Sequence, residues 1–261
     1  MAIDWTEVNK ALSPIKDYND LVRRLHESFG YSFVRANFNF SMPELVHYTQ
    51  LALGGDSRGR YTETTARLVG ILEQLQRAGV SNLLDLIARI DTPEQFEAFM
   101  IQSGIQVQEI VALAKYLIFW FIPGKKYLSG LVRSADQETS AAIKVLSGLG
   151  IRTNLDLLEK GITPAGRKAL AEAIGLPEKV ITDLVNRADF SRMPWASKAT
   201  ISNIMGAGYG SIARLANADP EQLYADFFKY GKAIGKNLKL GNEIDNSYRL
   251  AKIVPVLVQE S

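Results

Sequence analysis

The feature that most constrains this chain is a self-match at a constant offset of 71 residues. It pairs Leu75 with Leu146, Gly79 with Gly150, and Leu84-Asp85-Leu86 with Leu155-Asp156-Leu157. It continues through Thr92-Pro93 with Thr163-Pro164, Ala98 with Ala169, Gly104 with Gly175, Ile110 with Ile181 and Leu113 with Leu184, and it ends at Pro123 with Pro194. Twelve identities fall without a gap over some fifty positions, where random pairing gives about three. Most are helix caps, turn glycines or core apolars, the parts that a duplicated helical unit must keep. A shorter third copy follows at a different spacing. Ala207-Gly208-Tyr209, Ile212-Ala213-Arg214-Leu215 and Asp219-Pro220-Glu221-Gln222-Leu223 echo Ala78-Gly79-Val80, Leu84-Asp85-Leu86-Ile87 and Thr92-Pro93-Glu94-Gln95-Phe96. One such unit cannot bury its apolar face alone, so neighbours must stack.

Each copy reads as helices. Leu68, Ile71, Leu72 and Leu75 share one helical face, as do Ile110, Leu113, Ala114 and Leu117. Thr92-Pro93, Thr163-Pro164 and Asp219-Pro220 are helix starts, with an oxygen-bearing cap and proline at the first helical position. Gly79, Gly104, Gly150, Gly175 and Gly208 stand where a helix ends in a left-handed residue. No stretch alternates well enough for a strand. Tyr31 to Phe40 comes closest and reads as an extended connector between helical parts. Helical stretches are also expected at Tyr18–Phe29 and Met42–Leu53. The apolar run Val111–Pro123 is too short to span a bilayer, which needs roughly 20 residues. Interrupted by Lys115, it reads as a buried central helix with Trp120 in the core.

Composition narrows the chemistry. Apolar residues make up 47% and charged residues 22%, as in ordinary globular proteins. With a net charge of only +2, any nucleic-acid contact must come from local basic patches. The absence of cysteine excludes disulfides, thiolate metal sites and cysteine nucleophiles, and fits a cytoplasmic protein. The first residues lack the basic-then-apolar pattern of a secretory signal, and no membrane partner is expected. His26 and His47 stand 21 residues apart with no carboxylate pair at ligand spacing. Asp85 and Asp156 recur at equivalent repeat positions, which favours a helix or turn role over catalysis. Gly206-Ala207-Gly208-Tyr209-Gly210 follows no strand and reads as a helix-to-helix turn. No catalytic residue, metal site or cofactor is expected, so the chain reads as a non-enzyme.

The segment Gly150-Ile151-Arg152-Thr153-Asn154-Leu155-Asp156-Leu157-Leu158, with Gly161-Ile162-Thr163-Pro164-Ala165-Gly166-Arg167, Val185-Asn186-Arg187-Ala188-Asp189 and Asn217-Ala218-Asp219-Pro220-Glu221-Gln222-Leu223, resembles the domain of unknown function 4332 family. The resemblance covers roughly residues 138–257. That family belongs to the helix-hairpin-helix group, whose better-known members bind DNA backbones without sequence preference. The resemblance therefore implies an all-α fold of tandem helix-hairpin-helix-like repeats stacked in an array. An N-terminal helical region (1–60) would precede a first repeat unit (61–134) and a second unit (135–261) that resembles the family.

A helix-hairpin-helix grips phosphate through backbone N–H groups at the start of its second helix, with hairpin glycines allowing close approach. In this family position the chain has Arg192-Met193-Pro194-Trp195-Ala196-Ser197-Lys198, where Trp195 and Ser197 replace both glycines. Trp195 reads either as packing against a neighbouring repeat or as an anchor for a protein partner. The offset partner, Ile122-Pro123-Gly124-Lys125-Lys126-Tyr127, keeps one glycine. With Lys115 and Arg133 it holds four positive charges and no acid between residues 110 and 135. A second basic stretch, Lys229 to Gly241, carries Lys229, Lys232, Lys236 and Lys239 among glycines and reads as a basic loop before the last helix. Asp56-Ser57-Arg58-Gly59-Arg60 reads as an exposed loop whose arginines could touch an acidic partner. The expected function is sequence-independent binding of DNA or another nucleic acid through Gly124, Lys125, Lys126, Lys229, Lys232, Lys236 and Lys239. The alternative is a protein-interaction scaffold whose degenerate hairpins have lost the phosphate grip.

Overall fold

A computed structural model describes residues 3–55, 59–133, 136–194, 196–238 and 242–260, the side chains of 242 and 243 aside. Among the described residues every regular element is helical, and β pairing is limited to two isolated bridges, Ser41 with Asn82 and Tyr127 with Thr153. No helix among them is long and apolar enough to cross a membrane. The chain divides into two compact units, Met1–Gly124 and Lys125–Ser261.

The first unit holds α1 (Trp5–Leu12), α2 (Tyr18–Phe29), α3 (Ser32–Phe38), α4 (Met42–Gly54), α5 (Thr62–Arg77), α6 (Leu83–Arg89), α7 (Pro93–Ser103) and α8 (Val107–Trp120). Helix α8 packs against α1, α2 and α5, and α4 lies along α5. The second unit opens with a short 3₁₀ turn at Leu128–Gly130. It continues through α9 (Gln137–Gly148), α10 (Asn154–Gly161), α11 (Pro164–Ile174), α12 (Glu178–Phe190), α13 (Lys198–Gly206), α14 (Ile212–Ala216), α15 (Pro220–Ala233) and α16 (Asn242–Ala251). Here α10 packs on α11 and α12, while α13 and α14 pack on α16.

The 71-residue offset reappears in the backbone. Displacing α7 by 71 residues lands on both ends of α11, and the last residue of α5 lands on the last residue of α9. The glycine after each of these latter two helices, Gly79 and Gly150, has φ of 81° in both cases. That left-handed conformation is open to glycine at little cost and strained for other residues. Thr92 and Thr163 each cap the following helix, their hydroxyls accepting from the N–H groups of Gln95 and Gly166. The two bridges also stand at equivalent places, immediately before α6 and α10. Leu83 N–H donates to the Phe40 carbonyl at 3.1 Å, and Asn154 N–H donates to the Lys126 carbonyl at 2.9 Å.

The paired aspartates explain themselves in this frame. Asp85 accepts from Ser81 N–H at 2.8 Å and from Arg89 Nε at 2.9 Å, and Asp156 accepts from Arg152 and Thr153 N–H at 3.0 and 2.8 Å. Both close the turn that enters the short helix. Partial burial alone would raise the Asp85 carboxyl, but the Arg89 guanidinium and Ser81 N–H outweigh it and hold it below the usual carboxylate range. A group depressed in the folded state stabilises above its unfolded value and loses that contribution as pH falls through the folded one. Asp85→Ala is therefore expected to cost about 1 kcal/mol at neutral pH, a difference that starts to shrink only below about pH 4 and is lost at more acid pH, as the depressed carboxyl protonates. Urea denaturation at neutral and at strongly acid pH measures this; an equal cost at both would exclude the carboxylate's role.

Two expectations are corrected. Tyr31–Phe40 is not an extended connector: Ser32–Phe38 forms α3, whose Phe33, Val34 and Phe38 are buried together. The spacing of those three is helical, and only Phe40 beyond the helix end joins a bridge strand-like pairing. The apolar run after Val111 is also not buried throughout. Ile110, Val111, Leu113, Ala114, Tyr116 and Leu117 face the core, but Phe119 is 42% exposed and Trp120 is half-buried. Phe119 lies two residues beyond buried Leu117, a step of about 200° that turns it to the opposite face of the helix.

Candidate nucleic-acid interface

The residues that carry the family resemblance are mostly interior clamps. Gly166 sits where an added Cβ would lie 2.0 Å from the Lys160 carbonyl oxygen, so only glycine fits there. The next residue, Arg167, is 1% exposed. Its Nη1 donates to the Gly161 and Ile162 carbonyls, both at 3.3 Å, and its Nη2 donates to the Gln259 carbonyl at 2.9 Å. Gln259 N–H returns a bond to the Ile162 carbonyl at 2.9 Å. Asp189 is equally buried and pairs with Arg192, whose Nε lies 2.7 Å away. Burial pushes the Asp189 carboxyl up, against the pull of the Arg192 charge. Arg192 Nη2 reaches on to the Pro255 carbonyl at 2.9 Å. The two buried arginines thus fasten the segment after α16 to the body of the second unit. Arg187 is committed as well, to Asp183 at 2.6 Å and to the Ser202 hydroxyl at 3.3 Å.

The hairpin residues divide. Trp195, the expected partner anchor, lies outside the described residues, and so does the Asp56-Ser57-Arg58 part of the loop before α5. Ser197 caps α13, accepting from Thr200 N–H at 3.1 Å. Gly124 and Lys125 are exposed, but Lys126 is half-buried. Its N–H donates to Asn154 Oδ1 at 2.8 Å, and its ammonium donates to the Ser191 carbonyl at 2.6 Å. Burial lowers the Lys126 ammonium from its ordinary value. Lys115 donates to the Ala11 and Ser13 carbonyls at 2.8 and 2.6 Å, and Arg133 donates to Asn203 Oδ1 at 3.3 Å. Of the four cations expected to act together, only the Lys125 side chain makes no hydrogen bond among the described residues.

The second basic stretch is better organised than the sequence suggests. Lys229 and Lys232 are not in a loop: α15 runs on to Ala233 and carries both on its exposed last turns. Gly231 does not break the helix, since an interior glycine costs only about 1 kcal/mol. It is instead the point where the following chain folds back. A Cβ there would stand 2.8 Å from the Lys236 carbonyl oxygen. Gly235, at φ 65°, ends the helix, and Lys236 N–H donates to the Gly231 carbonyl at 2.8 Å. This fold-back sets Lys236, also exposed, beside the last turn; Lys239 lies outside the described residues.

Immediately before these lysines stands an aromatic that the sequence reading missed. Phe228 is 55% exposed, and the Lys232 ammonium lies 4.4 Å from its ring centroid. Tyr224, one turn earlier, is partly exposed and donates its hydroxyl to Asp245. The available signal was the four-residue spacing of Tyr224, Phe228 and Lys232, which only becomes one face if the helix continues past Gly231. The end of α15 thus exposes Lys229 and Lys232 with Phe228, and Lys236 is exposed in the turn that follows.

The remaining sequence features have local explanations. Gly206–Gly210 is the turn between α13 and α14, and Gly206 itself packs against the Tyr230 ring. His26 pairs with Asp91, and no cluster of metal-ligating side chains occurs among the described residues.

Residues 136–240 match the model of the family described as Domain of unknown function (DUF4332). The matched stretch runs from the start of α9 through the Lys236 turn, so it contains the Arg167 and Asp189 clamps and the whole α15 face. No curated protein and no solved structure matches the chain.

Proposed function

We propose that this chain is a non-catalytic binding protein that contacts nucleic-acid phosphates through the α15 face, without reading base sequence. One observation carries the reading: Lys229, Lys232 and Lys236 are all exposed at the end of α15 and in its fold-back turn, with Lys232 against the exposed Phe228 ring. Three exposed lysines at the end of one helix and in its glycine-capped turn are the kind of local basic cluster that a chain of net charge +2 requires. Phosphate contacts of this type act through counterion release and carry no sequence information. A non-catalytic role is consistent with the use of Arg167, Asp189 and Arg192, whose charges are spent on internal carbonyls and on one another. The shared offset of helices α5–α8 and α9–α12 supports a tandem array of helix-hairpin-helix-like units, in which the first unit keeps the fold and commits Lys115 to it.

A labelled short duplex titrated with the protein, followed by fluorescence anisotropy, tests this. Binding at about 50 mM salt that weakens steeply as salt rises is expected; a Kd above about 10⁻⁴ M, or affinity insensitive to salt, rejects it. A scaffold reading is favoured by a separate observation in the first unit. A groove of about 470 Å³ between α1, α7 and α8 is lined by Val8, Met100 and Ile101 together with Asp4, Glu7 and Glu97. Ile101 is 69% exposed there. That reading expects the duplex to fail and an amphipathic Lys- and Leu-rich peptide to bind instead.

A further inference from the structure

The exposed end of α8 forms one wall of a second groove in the first unit, of about 250 Å³. Thr64, Arg67 and Leu68 of α5 line it, together with Lys115, Phe119 and Trp120 of α8. Among the described residues no acidic side chain lines it. Phe119 is 42% exposed, an apolar ring left at the surface beside a helix whose other face is fully buried. Trp120 is held in place by two rings, edge-on to Tyr61 at 5.9 Å and tilted against Tyr116 at 5.9 Å. The Arg60 guanidinium lies 5.3 Å from the Tyr61 centroid. The Lys115 ammonium is taken up by the Ala11 and Ser13 carbonyls, which do not line the groove, so Arg67 is the cation left to it. Arg67 is exposed and makes no hydrogen bond or ion pair among the described residues.

Exposed aromatic surface, the Arg67 cation and no carboxylate among the described lining residues disfavour a cationic ligand and suit a planar aromatic group that carries negative charge. The groove is smaller than the roughly 300–1,000 Å³ of sites that enclose a whole drug-sized ligand, so it receives one ring system and leaves the rest outside. Bases in a duplex are paired and stacked and cannot enter such a groove. Unpaired bases present a π-face that stacks on protein aromatics whatever their identity.

We propose that the α5–α8 groove binds an unpaired nucleobase, stacked on Phe119 and Trp120, with its phosphate against Arg67. The ligand is a single-stranded nucleic acid or a free nucleotide, and the single-strand form rests on the nucleic-acid reading above. The test uses the full chain, with Phe119→Ala and Arg67→Glu variants, and three probes: oligothymidylate, a duplex of equal length and thymidine monophosphate. Anisotropy reports affinity, and the Trp120 indole N–H signal, assigned by its loss in Trp120→Phe, reports occupancy. Oligothymidylate is expected to shift the Trp120 signal and to lose roughly tenfold in affinity with Phe119→Ala. Arg67→Glu weakens it further at low salt, while duplex binding stays as in wild type. A Trp120 shift with thymidine monophosphate assigns the groove to free nucleotides; a shift with oligothymidylate alone assigns it to single strands. Oligothymidylate binding that is unchanged in both variants, with a still Trp120 signal, overturns the groove and leaves duplex binding at α15 standing. Trp120 shifts without any duplex binding would instead reject the α15 reading and keep the groove.

Discussion

Replacing Arg167 with alanine is expected to remove about 3–5 kcal/mol of unfolding free energy, the range for emptying the space of a large, fully buried side chain. The side chain is among the largest that are fully buried, and its guanidinium satisfies three carbonyls, on Gly161, Ile162 and Gln259. Alanine would leave a cavity and remove the buried bond to the Gly161 carbonyl, while the Ile162 carbonyl keeps Gln259 N–H. Since domains are stable by only about 5–15 kcal/mol, the second unit should lose most of its margin. Denaturant titration followed by far-ultraviolet circular dichroism measures it. A cost below about 1 kcal/mol, the range of surface changes, would show that Arg167 is not a structural clamp. Lysine at the same position should not rescue the loss, because one ammonium on a flexible stem cannot reproduce the planar fork that reaches carbonyls on both sides.

The contrast between Arg167 and the lysines shows what the sequence could and could not reveal. Caps and turns were legible because their chemistry is local. Thr92, Thr163 and Asp219 bond to N–H groups three residues away, and Gly79 and Gly150 answer to their own φ. The recurrence of Asp85 and Asp156 was enough to read them as turn residues. Partners far along the chain were not legible. Arg167 meets Gln259 at a separation of 92 residues, and Lys126 meets Ser191 at a separation of 65. A basic hairpin therefore looked like a phosphate grip, although one of its lysines is turned inward. Gly231 had the opposite effect: read as a loop residue, it hid a helix end that exposes Phe228 together with Lys229 and Lys232. Phe119 and Trp120 were hidden by an apolar run whose composition is uniform but whose helical phase is not.

The α15 face makes the larger functional prediction. Each lysine that neutralises a phosphate displaces a counterion, so affinity falls with salt in proportion to the number of contacts. Substituting Lys229→Glu, Lys232→Glu and Lys236→Glu together should weaken duplex binding roughly a hundredfold at low salt, because attraction is lost and repulsion gained. All three side chains are exposed, and none closes a helix cap through its ammonium, so the fold should survive. Stability should change by no more than about 0.5 kcal/mol. Binding that persists at the wild-type level would move the nucleic-acid contact away from α15.

The measurement that bears most directly on the account is the salt dependence of duplex affinity, for wild type and for this triple variant. The wild type should show a steep fall of log affinity with log salt, and the variant a slope shallower by about 2–3. Identical slopes and affinities in the two proteins would contradict it.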